Sequence, residues 1–288
     1  MSGKHTWYTF GSSVQGATHV RNHIPNQDAI EWLASYERQQ ELVLVAVADG
    51  HGNPRYFRSA LGARFAVQVA RTLLEQFGRH YGQATDLTVV EQMVEQQLAH
   101  LLVRQWNDTV DVHLAAAPFS PAELAGLDAP FRPKLAANPR LAYGSTLAST
   151  LITGTFILYM QLGDGDIVTV NTDGVVSRAP LVVDPQLSGD VTTSLCLPSA
   201  WRYVRTYLQP LVAHPPAMIM LATDGYSNSF VKEDGFLAAA QDIFDMIEPQ
   251  GREGICTLRK YLPRWLTATT AQGSGDDISV GIIYRIVR

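Results

Sequence analysis

The sequence has little cysteine, no run of basic residues and no long apolar segment. Its two cysteines, Cys196 and Cys256, are far apart and lack a metal-type spacing, which favours a reducing, cytoplasmic setting over a disulfide framework. The net charge of −5 argues against a dedicated nucleic-acid binder. No apolar run reaches the roughly 18 residues of a membrane span, and the N-terminus lacks the apolar core of a signal peptide. We therefore expect a cytoplasmic protein that binds neither nucleic acid nor membrane.

The composition is that of an ordinary globular protein with a large core, because 46% of the 288 residues are hydrophobic and 17% are charged. We expect one domain over residues 1–288. Residues 115–140, rich in alanine and proline, are interpreted as a surface connection, since strands resume beyond them. Residues 180–215 are interpreted as a flap with a helix at 200–208.

The most informative segment is Leu42–Ala48, a seven-residue apolar run that ends in Asp49-Gly50-His51-Gly52. A strand that is apolar on both faces indicates a buried central strand. An Asp-Gly pair alone is most often a turn, as we expect for Asp173-Gly174 between two alternating stretches. Asp49 differs because its strand is apolar throughout and a helix follows it.

The rest of the chain alternates between strand and helix patterns. A second buried strand at 217–223 ends in Asp224-Gly225. Three short strands separated by Gly and Asp turns predict an antiparallel meander at 147–153, 156–162 and 166–170. Further strands are predicted at 7–10, 29–33 and 278–286. Apolar residues at helical spacing predict helices at 54–77, 87–106, 232–247 and 253–266.

Acidic residues stand at the ends of several of these strands. They are Asp28, Asp49, Asp224 and the Asp276-Asp277 pair, with Asp164 a possible fifth. If these strands share a sheet, the carboxylates repel one another unless cations neutralise them. Oxygen ligands select hard ions such as Mn²⁺, Mg²⁺ or Ca²⁺. Two such ions are a standard means of hydrolysing phosphate esters, and His51 could protonate the leaving oxygen.

Five motifs in order resemble those of the metal-dependent serine/threonine phosphatases, protein phosphatase 2C, in their bacterial form. They are Val47–Gly52, Gly144-Ser145-Thr146, Gly163-Asp164-Gly165, Leu221–Gly225 and Asp276–Val280. The resemblance covers about residues 10–285 of the chain. It implies an α+β fold of two stacked antiparallel β-sheets (a β-sandwich) flanked by α-helices on both sides, with a dinuclear metal site at one end.

The resemblance also implies a role for individual residues. Asp49 would bridge two Mn²⁺ or Mg²⁺ ions, and the Gly50 carbonyl would bind one of them. Asp224 and Asp276 would complete the other site. Asp28 would lie near the Gly50 ion, as a ligand or through water, and His51 would be the general acid. Asp164 would bind a third, weaker metal. Gly144-Ser145-Thr146 would have a structural role.

Three positions depart from the family pattern. Gln27 replaces a glutamate, Asn228 replaces an acid and thereby weakens the case for a third metal, and His23 replaces a phosphate-binding arginine. Arg21, Arg55 or Arg58 could take over phosphate binding, because a guanidinium fits phosphate well. Asp277 is interpreted as a turn or supporting residue. The histidines without supporting spacing are interpreted as surface or hydrogen-bonding residues: His19, His23 and His214.

The first functional hypothesis is a Mn²⁺- or Mg²⁺-dependent phosphatase that removes phosphate from serine or threonine of a partner protein, reversing a kinase in bacterial signalling. The second is a catalytically weak pseudophosphatase that binds a phosphoprotein, motivated by Gln27, His23 and Asn228. The third is a metallohydrolase acting on nucleotides or another small phosphoester.

Overall fold

The structure is a computed structural model that describes residues 5–36, 41–184, 192–211 and 215–287. Within these ranges the chain forms ten strands, β1 (His5–Val14), β2 (Ala29–Ser35), β3 (Leu42–Ala48), β4 (Leu147–Ile152), β5 (Phe156–Leu162), β6 (Asp166–Val170), β7 (Val176–Arg178), β8 (Arg205–Pro210), β9 (Met218–Ala222) and β10 (Ile278–Val287). The helices in the same ranges are α1 (Ala17–Asn22), α2 (Ser59–Tyr81), α3 (Leu87–Met93), α4 (Ala99–Ala116), α5 (Pro121–Ala125), α6 (Arg132–Ala137), α7 (Asp224–Ser227), α8 (Glu233–Ile247) and α9 (Arg252–Gln272).

The described strands form two antiparallel sheets of five strands each. The first has the order β1-β10-β9-β6-β7 and the second the order β2-β3-β4-β5-β8. The sheets stack on each other, with helices on both outer faces. This arrangement confirms the predicted fold class.

The position of β3 explains why all seven of its residues are apolar. Val43, Val45 and Val47 pack between the sheets against side chains from β9 and β10. The alternate residues, from Leu42 to Ala48, pack under the helices. Since successive side chains of a strand point to opposite faces, a strand covered on both faces needs apolar residues at every position. The predicted central strand is confirmed.

Helices cover each sheet through the apolar faces that the sequence predicted. Helix α2 packs on the second sheet, after a short 3-10 turn at Pro54–Tyr56. The helix predicted at 87–106 consists of α3, a π-helical turn at Val94–Leu98 and α4, so it continues to Ala116. Helices α8 and α9 cover the first sheet and confirm the two helices predicted there.

The predicted meander of three strands is wrong in its third member. Strands β4 and β5 pair with each other, but β6 belongs to the other sheet, where it pairs with β7 and β9. The change of sheet occurs at the turn that contains Gly163, whose φ of +93° suits glycine. This turn therefore brings Asp164 to the point where the two sheets meet.

The helix predicted at 200–208 is also wrong. A 3-10 turn at Ala200–Tyr203 leads into the edge strand β8, which pairs antiparallel with β5 from Gln161↔Arg205 to Phe156↔Pro210. The edge of β5 needs hydrogen-bond partners, and this long-range requirement outweighs the local apolar spacing. Residues 115–140 contain α5 and α6 and place Leu127, Phe131 and Leu135 in the core, so this segment is not only a surface connection.

Part of the predicted flap, and His214, lie outside the described residues. Both cysteines are free; Cys196 is buried and Cys256 is exposed. Among the helices of the described ranges, none combines the length and hydropathy needed to cross a membrane.

Candidate active site

One cavity of about 960 Å³ collects most of the predicted site residues. Both sheets contribute to it, because Asp49 follows β3, Asp224 follows β9 and Asp276 precedes β10. The lining includes six of the residues selected from the sequence, namely Asp49, Gly50, His51, Asp164, Asp224 and Asp276. The cavity therefore joins motifs from the first and the last parts of the chain.

Asp28 lies beside this group but outside the cavity lining. The antiparallel pairing of Ala29 with Ala48 places Asp28 next to Asp49. The Thr223 hydroxyl, which follows β9, donates a 2.6 Å hydrogen bond to Asp28 Oδ2 and accepts one of 2.9 Å from the Ser279 amide. Asp28 is thus fixed to both sheets at once.

The carboxyl groups of this cluster resist ionisation. Burial raises the pKa of Asp49 well above its usual value, and the nearby carboxylates of Asp28 and Asp224 raise it further. Burial likewise raises the pKa of Asp28 well above normal and that of Asp224 to about 6. Such shifts mean that ionising these groups together would place negative charge where the protein leaves it largely uncompensated.

A divalent cation fits this donor set. The donors are carboxylate oxygens and the Gly50 carbonyl, which are the hard ligands that Mn²⁺ and Mg²⁺ prefer. Burial also raises the pKa of Asp164, whose Oδ1 atom is buried without a hydrogen-bond partner. A bound cation would compensate the clustered charge and satisfy that oxygen.

The backbone of the Asp49–His51 segment is held by its neighbours. The Thr146 amide donates to the Asp49 carbonyl at 2.8 Å, and the His51 amide donates to the Gly144 carbonyl at 3.2 Å. Gly50 has no space for a side chain, because a Cβ there would lie 2.6 Å from the Gln27 carbonyl oxygen. The Gly144-Ser145-Thr146 motif therefore supports the site structurally, as the resemblance implied.

His51 lies in the cavity wall with its ring edge-on to Tyr56, at a centroid distance of 4.8 Å. Burial lowers its pKa to about 4. The imidazole is therefore neutral near pH 7 unless negative charge approaches it. A substrate phosphate would bring such charge and favour the protonated ring.

Two departures from the family pattern have visible consequences. Asn228 Nδ2 donates a 3.0 Å hydrogen bond to Asp224 Oδ2, so it orients a carboxylate where an acid would repel it. The Gln27 side chain donates to Ser59 Oγ at 2.9 Å, at the first residue of α2.

Arg58, one of the candidates for phosphate binding, is engaged by neighbouring residues. Its side chain is only 8% exposed. Its guanidinium donates to Glu123 Oε1 at 2.7 Å and to the Tyr143 hydroxyl at 2.7 Å, and it lies over the Phe119 ring. These contacts hold the segment after α4 against α2 and engage the guanidinium.

The other two candidate arginines also lie away from the cavity lining. Arg55 forms an exposed ion pair with Asp128, and Arg21 donates to the Thr18 hydroxyl at 2.9 Å. A phosphate-binding role for Arg21, Arg55 or Arg58 stays a prediction.

Two arginines that the sequence analysis missed do line the cavity, Arg178 at the end of β7 and Arg205 at the start of β8. Arg178 contacts Asp166 and donates to Glu233 Oε1 at 2.8 Å. Arg205 donates to the Gly163 carbonyl oxygen, and its Nε is buried without a hydrogen-bond partner. No motif marks either residue. Arg178 reaches the cavity through the β6–β7 hairpin, and Arg205 through the pairing of β8 with β5.

Comparison with known proteins agrees with this geometry. The family model for protein phosphatase 2C matches residues 15–267. No curated protein matches the sequence significantly.

Solved structures with a similar fold cover almost the whole chain. The catalytic domain of the serine/threonine protein phosphatase PstP, in complex with two manganese ions, has a TM-score of 0.57 at 14% identity, covering 98% of this chain and 100% of that one. PppA, a regulatory component of T6SS in Pseudomonas aeruginosa, gives the same values. The serine/threonine phosphatase of S. agalactiae has a TM-score of 0.51 at 15% identity, covering 97% and 99%. At these identities the likeness concerns the fold.

Proposed function

Since the chain belongs to the protein phosphatase 2C family and is a metal-dependent serine/threonine protein phosphatase, we propose that residues 1–288 form one catalytic domain whose cavity holds two Mn²⁺ or Mg²⁺ ions. Asp49 would bridge them, with the Gly50 carbonyl on one side and Asp224 and Asp276 on the other. Asp28 would support the Gly50 side directly or through water. Asp164 would hold a third, weaker ion, which the neutral Asn228 disfavours.

The observation that carries this proposal is the cluster of half-buried carboxyls. Asp28, Asp49 and Asp224 come from three segments, and each has a raised pKa. Keeping three such groups together has a free-energy cost that a bound cation offsets. The ions, when bound, would lower the pKa of a water molecule and offset the negative charge that develops on the phosphate.

The chain's own residues would perform the other steps. His51 lies in the same cavity and is placed to hold the proton that the leaving serine or threonine oxygen requires. Arg178 and Arg205 supply positive charge along the cavity and replace the three arginines suggested by the sequence as the most direct candidates for contact with the phosphorylated segment.

We propose that the substrate is a protein phosphorylated on serine or threonine by a kinase whose action this enzyme reverses. The size of the cavity and its mixed lining, which includes Leu181 and Val182 beside the charged groups, support a peptide segment as ligand. The two free cysteines support a reducing, cytoplasmic location.

The deciding experiment is hydrolysis of p-nitrophenyl phosphate after treatment with EDTA, followed by addition of Mn²⁺ or Mg²⁺. We expect activity to disappear with EDTA and return with the metal. Asp49→Asn should lower activity by more than about 100-fold, because even residues outside the ligand shell contribute 10–100-fold to metal sites.

Asp173→Asn is the matched control, since Asp173 also precedes a glycine but lies in the turn between β6 and β7. Near-normal turnover by Asp49→Asn would contradict the proposed site. A folded protein without activity in either metal would favour the binding-only hypothesis, and a preference for nucleotides over phosphopeptides would favour the small-phosphoester hypothesis.

A further inference from the structure

Asp277 is a buried carboxylate just before β10, and its two oxygens hold two distant parts of the chain. Oδ1 accepts a 2.6 Å hydrogen bond from the Gly16 amide, and Oδ2 accepts one of 2.6 Å from the Gln27 amide. The side chain is only 2% exposed. Hydrogen bonds from backbone amides to a buried carboxylate are strong, so Asp277 fixes the segment before β2 to the start of β10.

The Gln27 peptide transmits this constraint to two of the proposed metal ligands. Its carbonyl oxygen accepts a 3.2 Å hydrogen bond from the Gly50 amide. Asp28 is the next residue along the chain. Any shift of Gln27 would therefore move Asp28 and Gly50 together.

His19 completes the arrangement, although the sequence suggested only a surface or hydrogen-bonding role. Its Nδ1 lies 2.9 Å from Asp277 Oδ2 and its Nε2 lies 3.6 Å from Asp276 Oδ1. The first contact is a close approach of the two groups rather than an aligned hydrogen bond. The Asp277 amide donates to Asp276 Oδ1 at 2.8 Å. Asp276, a third proposed ligand, is thus oriented by His19 and by the Asp277 amide.

We infer that Asp277, assisted by His19, is a positioning residue that holds Asp28, Gly50 and Asp276 in the geometry that the metal centre requires. This inference rests on the proposed function. His19, Asp276 and Asp277 lie close enough to resemble a separate metal site. However, both oxygens of Asp277 already accept hydrogen bonds from backbone amides. Asp277 therefore supports the metal ligands and is not one of them.

The test measures Mn²⁺ binding by isothermal titration calorimetry, together with the melting temperature of the metal-free protein. Asp277→Glu keeps the charge but displaces the carboxylate, and Asp277→Asn keeps the shape but removes an acceptor. We expect both variants to bind Mn²⁺ about 10–100-fold more weakly, as is typical when partners of metal ligands are lost. Activity should recover largely at saturating Mn²⁺.

Thr153→Val is the control for a general loss of stability. The Thr153 hydroxyl is buried and accepts hydrogen bonds from the Thr155 and Phe156 amides, at the opposite end of β4 from Thr146. The Thr153→Val substitution should lower the melting temperature without changing the affinity for Mn²⁺. His19→Ala, which leaves the backbone contacts of Asp277 intact, should weaken Mn²⁺ binding by about 10-fold, the low end of the same range, and serves if the Asp277 variants do not fold.

The outcomes separate this inference from the proposed function. If the wild-type protein binds no Mn²⁺, the proposed metal centre is wrong and the inference falls with it. If the wild type binds and Asp49→Asn does not, but the Asp277 and His19 variants bind normally, only the positioning role is overturned. Normal affinity in Asp277→Glu alone, with weak binding in Asp277→Asn, would overturn positioning in favour of a simple charge effect.

Discussion

At the scale of single residues, Asp49 and Asp173 show how the same dipeptide sequence takes two structures. Asp173 lies in a hairpin turn in which Asn171 Oδ1 accepts the amides of Asp173 and Val175, and Gly174 has a φ of +79°. Gly50 lacks a positive φ and instead bridges Ser145 as an extension of the sheet. The apolar strand before Asp49 is the feature that distinguishes the two in the sequence.

His51→Ala tests the acid role at this scale. We expect hydrolysis of a phosphoserine peptide to fall by about 100-fold or more, because an alkoxide leaving group needs a proton and general acid catalysis contributes about 10²–10⁴-fold. Hydrolysis of p-nitrophenyl phosphate should fall much less, since nitrophenolate leaves without one. Steady-state rates on both substrates at saturating Mn²⁺ give the comparison. Equal losses would argue against the role, and the exposed His80, changed to alanine, provides the control.

At the scale of elements, α2 links the core to the site. Its first residue, Ser59, lies so close to Gly50 that a Cβ on the glycine would be 2.7 Å from the Ser59 carbonyl oxygen. Three residues later Gly62 packs directly on the segment before β4, and its carbonyl accepts a 3.0 Å hydrogen bond from the Trp106 indole. The position of this helix therefore constrains Gly50 as well as the core.

Gly62→Ala should destabilise the protein although alanine favours helices. A Cβ at this position would lie 1.8 Å from the Tyr143 carbonyl oxygen, and overpacking of this kind costs about 1–3 kcal/mol. Urea denaturation measures the loss. Gly126→Ala is the matched control, because a Cβ there would meet no atom within 4 Å. Equal stability of the two variants would mean that α2 can shift without cost.

The elements that could be predicted from the sequence are those whose environment is reflected in their own residues. Strands β3 and β9 are covered on both faces and are therefore apolar throughout. The edge strand β8 has a mixed pattern, and its identity depends on pairing with β5.

The same dependence on local environment explains which site residues could be found from the sequence. Asp49 and Asp224 follow buried strands, so the apolar residues just before them identify them in the sequence. Arg58 is buried by Glu123 and Tyr143, which lie 65 and 85 positions further along the chain. Contacts at such separations leave no periodic signal near the residue itself.

At the scale of the whole molecule, the site joins the two sheets at one end of the sandwich. Asp28 and Asp49 lie next to strands of the second sheet, whereas Asp224 and Asp276 lie next to strands of the first. Without cations the carboxyls repel one another across this junction. The stability of the entire fold should therefore depend on pH and on metal.

Comparison of the wild type with Asp224→Asn isolates this effect. The folded-state pKa of Asp224 is raised from 3.8 to about 6. Its contribution to the free energy of unfolding is therefore complete below about pH 4 and is lost as pH rises through 6. The loss amounts to about 3 kcal/mol. His51 acts in the opposite direction in both proteins, because its lowered pKa removes stability as pH falls from 6.5 toward 4. In EDTA, the variant should gain stability relative to the wild type between pH 4.5 and 7.5.

Mn²⁺ should reverse this relative gain at pH 7.5, because it should stabilise the wild type and not the Asp224→Asn variant. Urea denaturation at both pH values, with and without the metal, measures the difference. A stability difference that is independent of pH would contradict the electrostatic explanation.

The pairing of β1 with β10 has a consequence for how the protein is made. The two strands are in register from His5↔Val287 to Val14↔Ile278, so β1 leaves the ribosome long before the strand with which it pairs. Contacts between such distant segments form slowly, because a long loop must close first. A nascent chain that already displays Asp28 and Asp49 still lacks Asp276 and Asp277. Phosphatase activity should therefore begin only after β10 has been synthesised, and incomplete chains should not dephosphorylate anything.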